Sequence, residues 1–447
     1  MLSNLISKSS LEDSADSQIC SIDESTNILN SEKGSITEIF VAHDVRERKE
    51  PEKKHYLKLL PLTILVFYNV AGGPVGIEPA VRAAGNLYAI IGFLVAPLLM
   101  SLPEALMTAE LGSAFPHASG GIAWAEEAFG ETMGLWCGYW NWISGATDNA
   151  IYPALFLDYL TAMIGHSTGL NGFTRFITLS FISIILAAFN YTGLEIVGNT
   201  SVVICILSMS PFVVMCIMGI PHIDPSKWLQ LPSNEDIHID EAAPDSTIQH
   251  SFLGIGGVML WRDFLNNLFW NYNSFDSTAS YSCEIRREEL STTYPRGIFY
   301  GLILATVCYV IPLLVATGVT NSTQSEWVNG HLESIAEEIG GKWLATWTIF
   351  AVAISNLGLF EAELSADSYQ LMGMAEKGYV PKFIGKRSQK FGTPVNAIIV
   401  GTLVIVAMSV ADFSELVAML NFNYSLSLLV EYAAFVALRY KRNDGEC

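Results

Sequence analysis

Asp148 lies in the middle of a long apolar stretch, and Asn141, Ser144 and Tyr152 fall at helical spacing on the same face. Asn356, Glu363, Asp367 and Gln370 repeat that arrangement later in the chain. Glu104, Glu110, Asp158 and Glu361 occupy similar stretches, and Asp276 stands at the centre of another, yet no Lys or Arg occurs in the interior of any of them. At the centre of a membrane helix a carboxylate costs about 2.5 to 3.5 kcal/mol on insertion scales, so an unpaired one must be protonated, hydrogen-bonded or waiting for a mobile cation. A proton and a cationic substrate are the two candidates, and both polar stripes should face a bundle interior.

The acids differ in weight. Glu78 has Arg82 four residues on, a spacing that also makes an ordinary surface pair on a helix. Asp158 approaches the outer end of its stretch and Glu110 the inner end of its own. Aromatic side chains crowd the remaining acids: Trp140, Trp142 and Tyr152 near Asp148, and Trp270, Tyr272 and Phe275 near Asp276. Ring faces attract ammonium groups by about 0.5 to 2 kcal/mol, so carboxylates beside aromatics suit an alkyl-ammonium.

Ten apolar stretches long enough to span a bilayer position these residues, at 59–83, 87–113, 133–164, 173–190, 196–220, 259–283, 296–319, 342–371, 394–411 and 414–438. Of the 447 residues 51% are hydrophobic and only 15% charged, which argues against an ordinary soluble enzyme. A net charge of −20 gives no basic footprint for nucleic acid. Lys and Arg divide 17 to 5 between the two sides, which predicts that both termini are cytoplasmic. Residues 1–57 read as a disordered acidic tail without a signal peptide, 58–220 and 259–438 as two five-span halves, 221–258 as an extracellular loop and 439–447 as a short cytoplasmic tail. The outer loops at 221–258 and 320–341 are acidic, and the second contains an Asn321-Ser322-Thr323 sequon. The seven cysteines lack CxxC pairing, all eight histidines fall outside the spans, and no nucleotide-loop, GxSxG or HExxH pattern occurs. No metal, cofactor or catalytic site is therefore expected.

Two of the ten stretches are broken. Gly72-Gly73-Pro74-Val75-Gly76 cannot continue a regular helix after Phe67-Tyr68-Asn69, and Asn271-Tyr272-Asn273-Ser274-Phe275-Asp276-Ser277 is a run of poor helix formers after Phe269-Trp270. One break falls in each half of the chain. Irregular backbone at membrane depth is tolerated where it lines a cavity, and paired broken helices point to a transport site. Span 5 contains no Lys, which leaves carboxylates as the protonation sites.

The runs Gly72–Glu78, Pro103–Leu111, Ala114-Phe115-Pro116 with Gly120-Gly121, Asp148-Asn149-Ala150-Ile151-Tyr152-Pro153, Ser355–Glu363, Gly373-Met374-Ala375 and Gly392-Thr393-Pro394 together resemble the amino acid, polyamine and organocation transporter superfamily. Within it they resemble the plant-type and protist polyamine uptake transporters, over roughly residues 58–440; Phe360-Glu361-Ala362-Glu363 and Asp148-Asn149-Ala150 are the more specific matches. The resemblance implies an all-α polytopic membrane protein with a LeuT-like inverted five-plus-five repeat, unwound in the first and sixth helices. It further implies proton-coupled uptake of putrescine, spermidine or related amines at the plasma membrane. That family usually continues with two more spans, whereas this sequence ends after Arg439–Cys447.

The residues favour the same substrate class. An amino acid's carboxylate would need backbone N–H groups at the first break, where Pro74 has none and Glu78 adds repulsion. Gly72, Gly73, Gly76, Glu78, Asp148, Tyr152, Trp270, Asn273, Phe275 and Asp276 are the expected substrate-binding residues, and Glu104, Asp148, Glu363 and Asp367 the proton-coupling candidates. An amino acid transporter or exchanger of the same fold stays open as the alternative, and a flux-free receptor has only the acidic tail in its favour. The expected partners are the amine or amino acid, protons and the lipid bilayer.

Overall fold

The computed structural model describes residues 56–164, 172–232, 249–250, 258–409, 411 and 413–443, all within the unit Lys49–Cys447. The expected tail at 1–57 lies outside these residues except for its last two positions, as do most of the loop at 221–258 and residues 444–447.

Helix α1, Leu59–Val70, is largely apolar, buries Thr63 and Asn69 among its apolar side chains, and stops where Ala71 turns extended, with φ −148° and ψ 129°. Gly73 and Gly76 follow at φ 110° and 94°, angles that side chains with a Cβ rarely adopt. Helical backbone resumes as α2, Glu78–Ala96, widens into a π-helical turn at Pro97–Ser101 and runs on as α3, Leu102–Ala114. The wider turn accommodates Pro97, which has no N–H to donate. Gly85, at φ 71° and ψ 175°, bends α2 where the first two expected spans meet, so no separate loop divides them.

A short helix, α4 at Gly121–Phe129, buries Trp124 in what the sequence reading leaves as a connection. The expected third span divides at Ala150 into α5, Glu131–Asn149, and α6, Ile151–Ile164, followed by α7, Gly172–Asn190, and α8, Leu194–Gly219. Helix α9, Trp261–Tyr272, gives way to an extended Asn273 and then to Ser274 at φ 74°, the one described non-glycine residue with positive φ. A 3-10 segment at Asp276–Glu284 follows. Helix α10, Arg287–Val319, begins earlier than the expected 296 and carries Arg296 on the helix; α12, Lys342–Lys377, likewise outruns its expected end. Between them α11, His331–Gly340, occupies part of the expected loop at 320–341. Helices α13, Val395–Met408, and α14, Phe413–Asn443, complete the order. A two-residue ladder, β1 at Gln249–His250 against β2 at Val258–Met259, is the one strand pair among the described residues.

Among the described residues, five stretches have the length and apolarity to cross a bilayer, namely Glu78–Ala114, Gly172–Asn190, Leu194–His222, Arg287–Val319 and Lys342–Lys377, while α1 and α13 are shorter apolar helices. Helices α5 and α14 pack along each other and carry polar residues inward, which lowers their apparent apolarity. Helix α12 is the central element, packed against α8, α6, α5 and α1, and every residue from Phe360 to Ala375 on it is buried. Close approach to α1 requires Gly358, where a Cβ would stand 2.6 Å from the Tyr68 ring. The outward faces present Phe173, Phe181, Ile206 and Leu403, apolar side chains suited to lipid.

Candidate functional site

Helices α1 and α9 both end against one small cavity, which Val70 and Gly72 line from the first break and Trp270 and Asn273 from the second. Asp148 reaches it from α5, Tyr152 from α6 and Glu363 from α12. The Trp270 Nε1–H donates to Asp148 Oδ1 at 3.2 Å, and the Tyr152 hydroxyl donates to Glu363 Oε1 at 2.7 Å. Each carboxyl group is thus held by an aromatic donor, which orients it without neutralising it. Glu363 also meets Asp148, and Asn273 Nδ2 is buried without a hydrogen-bond partner among the described residues.

The electrostatics of this cavity favour a cation. Among the described residues no Lys or Arg lines it, although Asp148 and Glu363 are both only 6% exposed. Two helix C-termini abut it as well, and the backbone carbonyls at such ends carry partial negative charge. Asn69, Asn356 and Tyr309 complete the polar lining.

Of the expected substrate residues, Gly72, Asp148, Tyr152, Trp270 and Asn273 come together here, with Glu363 from the proton-coupling set. Gly73 and Gly76 belong to the same irregular segment but face Met209 and Asn271. Glu78 faces a second, smaller cavity with Tyr159 and Glu333, and it accepts the Gly76 N–H at 3.1 Å. The helix-surface pair with Arg82 that the spacing allows is not formed among the described residues; Arg82 is exposed and its carbonyl accepts from Gln324 Nε2 at 2.8 Å. Asp367 packs against Gly145 on α5, with Oδ2 unpartnered.

Asp276 and Phe275 do not line the main cavity. Both join Glu104 in a separate buried cluster, because the 3-10 segment turns them toward α3 and α14. Trp140 stacks on the 48% exposed Trp136 with centroids 5.6 Å apart, on the outer surface of the bundle rather than beside an acid. Asp158 pairs with Arg175 at 2.5 Å and Glu110 with Arg439 at 2.5 Å, in keeping with their helix-end positions. Glu361 accepts from Asn190 Nδ2 at 3.2 Å.

Sequence reasoning passed over Tyr424 and Glu431 on α14, both buried in the cluster with Glu104. The signal was present: Tyr424, Ser427 and Glu431 recur at helical spacing inside the tenth apolar stretch, as Asp148 and its neighbours do in the third.

A bundle of apolar helices that surrounds an acidic cavity with two helix ends fits an integral membrane permease. Residues 57–446 match the amino acid permease family, and the chain belongs to that family. It is 40% identical over 400 residues to a probable polyamine transporter of Arabidopsis thaliana, covering 88% of this chain and 77% of that protein. Polyamine transporter PUT1 of Oryza sativa subsp. japonica is 39% identical over 395 residues, covering 88% and 69%. Among solved structures, a Na+-coupled sialic acid symporter in a substrate-bound outward-open state shares the fold with a TM-score of 0.52 at 12% identity, covering 90% of this chain and 82% of that one.

Proposed function

We propose that this permease imports polyamines such as putrescine and spermidine across the plasma membrane in symport with protons. Residues 58–220 and 259–438 then form two inverted five-helix halves, with α1 and α9 belonging to helices unwound at the substrate site and both termini in the cytoplasm. The observation that carries this reading is the cavity itself: Asp148 and Glu363 face it, two helix C-termini abut it, and among the described residues no basic side chain lines it. A buried carboxylate left without a cation is strongly unfavourable, whereas a protonated amine placed between Asp148 and Glu363, which meet each other, would satisfy both. Trp270 and Tyr152 supply the aromatic walls. The polyamine transporters named among the relatives agree with this substrate class.

The family's description favours an amino acid as the second reading. Against it, Pro74 in the irregular segment has no N–H and the Gly76 N–H is already held by Glu78, which leaves fewer backbone donors for a carboxylate. Purified protein in liposomes should accumulate radiolabelled spermidine when an inward proton gradient is imposed and only equilibrate without one. Accumulation of leucine or arginine in place of spermidine would select the amino acid reading, and equal spermidine levels with and without the gradient would remove proton coupling.

A further inference from the structure

The cluster formed by Glu104, Asp276, Tyr424 and Glu431 contains more hydrogen-bond contacts than it has obvious protons to fill. The Tyr424 oxygen lies 2.7 Å from Glu104 Oε1 and 2.5 Å from Asp276 Oδ1, and it accepts the Ser274 N–H at 2.8 Å. A phenol has one proton to donate, so it can satisfy only one of those two carboxyl oxygens. The other contact requires a proton that the carboxyl group supplies. Which carboxyl supplies it follows from the remaining donors. Glu104 Oε1 also accepts the Phe275 N–H at 2.6 Å and the Asp276 N–H at 3.2 Å, the pattern of an ionised acceptor. Asp276 Oδ2 takes the Asn141 Nδ2–H at 2.6 Å, with Asn141 oriented by a Gln370 Nε2–H at 2.8 Å on its own Oδ1. Asp276 also meets the Ser277 N–H and Glu431, and its Oδ1, which the Asn141 amide leaves open, is the position from which a proton can be donated to Tyr424.

We infer that Asp276, Tyr424 and Glu104 form a proton-holding relay beside the break in the sixth span, distinct from the substrate cavity, with Glu431 as its third carboxyl group. This rests on the proton-coupled reading above. Glu431 meets Asp276 as a further carboxyl partner, is 1% exposed, and has an Oε2 with no donor. The ionisable groups facing the cluster are Cys137 from α5, whose Sγ lies 3.7 Å from Glu431, Tyr294 from α10 and Tyr432 from α14; Lys and Arg do not approach it among the described residues.

Transfer through the relay balances in one concerted step. Asp276 Oδ1–H passes its proton to the Tyr424 oxygen while Tyr424 passes its own to Glu104 Oε1, leaving the phenol neutral and the negative charge moved from Glu104 to Asp276. Protonated Glu104 is a poorer acceptor for the Phe275 and Asp276 N–H groups, which hold the first turn of the 3-10 segment. The proton's position is thereby linked to the backbone that follows Asn273 and Trp270 of the cavity.

The test uses full-length protein in liposomes containing a pH-sensitive dye, with external spermidine as the trigger, for wild type, Asp276→Asn and Tyr424→Phe. Wild type should show spermidine-driven proton influx. Both variants should keep spermidine-induced thermal stabilisation in detergent, while proton influx falls by at least about a hundredfold, the scale of a lost proton-transfer group. Wild-type influx in Asp276→Asn or Tyr424→Phe overturns the relay but leaves proton-coupled uptake standing. Loss of spermidine stabilisation in a folded variant also overturns it, by placing the cluster in the substrate site. Absence of proton influx in active wild type removes the underlying reading as well. Should Asp276→Asn fail to fold, Tyr424→Phe decides the matter, since it removes only one oxygen.

Discussion

Replacing Asp148 with asparagine is expected to reduce spermidine uptake by at least about a hundredfold, because removing one member of a buried charge pair costs about 3 to 5 kcal/mol. The substitution preserves shape. Its carbonyl oxygen still accepts the Trp270 Nε1–H that now reaches Asp148 at 3.2 Å, so the cavity wall stays in place. What disappears is the charge that would face a substrate ammonium, and Glu363 alone is already engaged by the Tyr152 hydroxyl. Thermal melting of the purified variant should match or exceed that of wild type, since an unpaired buried charge has been removed. Uptake within about threefold of wild type, in a variant shown to be inserted and folded, would exclude Asp148 as a substrate anchor.

Gly76→Val should come next in effect. Gly76 sits at φ 94°, where a β-branched residue is an outlier, and a Cβ there would stand 2.8 Å from Asn271 Oδ1 and 3.1 Å from the Trp270 ring. The backbone strain is worth about 1 to 3 kcal/mol, and relief of the contact would push Trp270 away from Asp148. Uptake is expected to fall by at least about tenfold together with a lower melting temperature. Gly193→Ala is the matched control. It places a Cβ at φ 117° but meets nothing closer than the Phe391 carbonyl at 3.8 Å, far along the chain from either break. It should cost stability and leave uptake near wild type; equal loss of uptake in both variants would show that strain anywhere suffices.

The first break was legible because Gly and Pro announce backbone that cannot stay helical, and the second because Asn, Ser and Asp interrupt an apolar run. Periodicity also reported which faces of the third and eighth spans turn inward, and Asp148, Tyr152 and Glu363 do share one cavity. It could not report which inward-facing groups meet. Asp276 follows Asn273 closely in sequence, yet the positive φ of Ser274 swings it out of the cavity and onto Tyr424 and Asn141. Glu78 illustrates the same limit: helical spacing offered Arg82, but the irregular turn before it offered the Gly76 amide, and the buried N–H prevailed. The short helices α4 and α11 lie in connections too polar or too brief to register as spans. Gly85 reads as one glycine among many in sequence, and only its dihedral angles mark the bend it makes.

The central claim, that the acidic cavity takes an amine without a carboxylate site, is tested most directly by competition for radiolabelled spermidine uptake in liposomes under an inward proton gradient. Putrescine at about a hundredfold excess should suppress uptake almost completely, and leucine at the same excess should leave it unchanged, because leucine offers one ammonium group and a carboxylate that the cavity repels. Suppression by leucine equal to that by putrescine would contradict the account and return the cavity to amino acid transport.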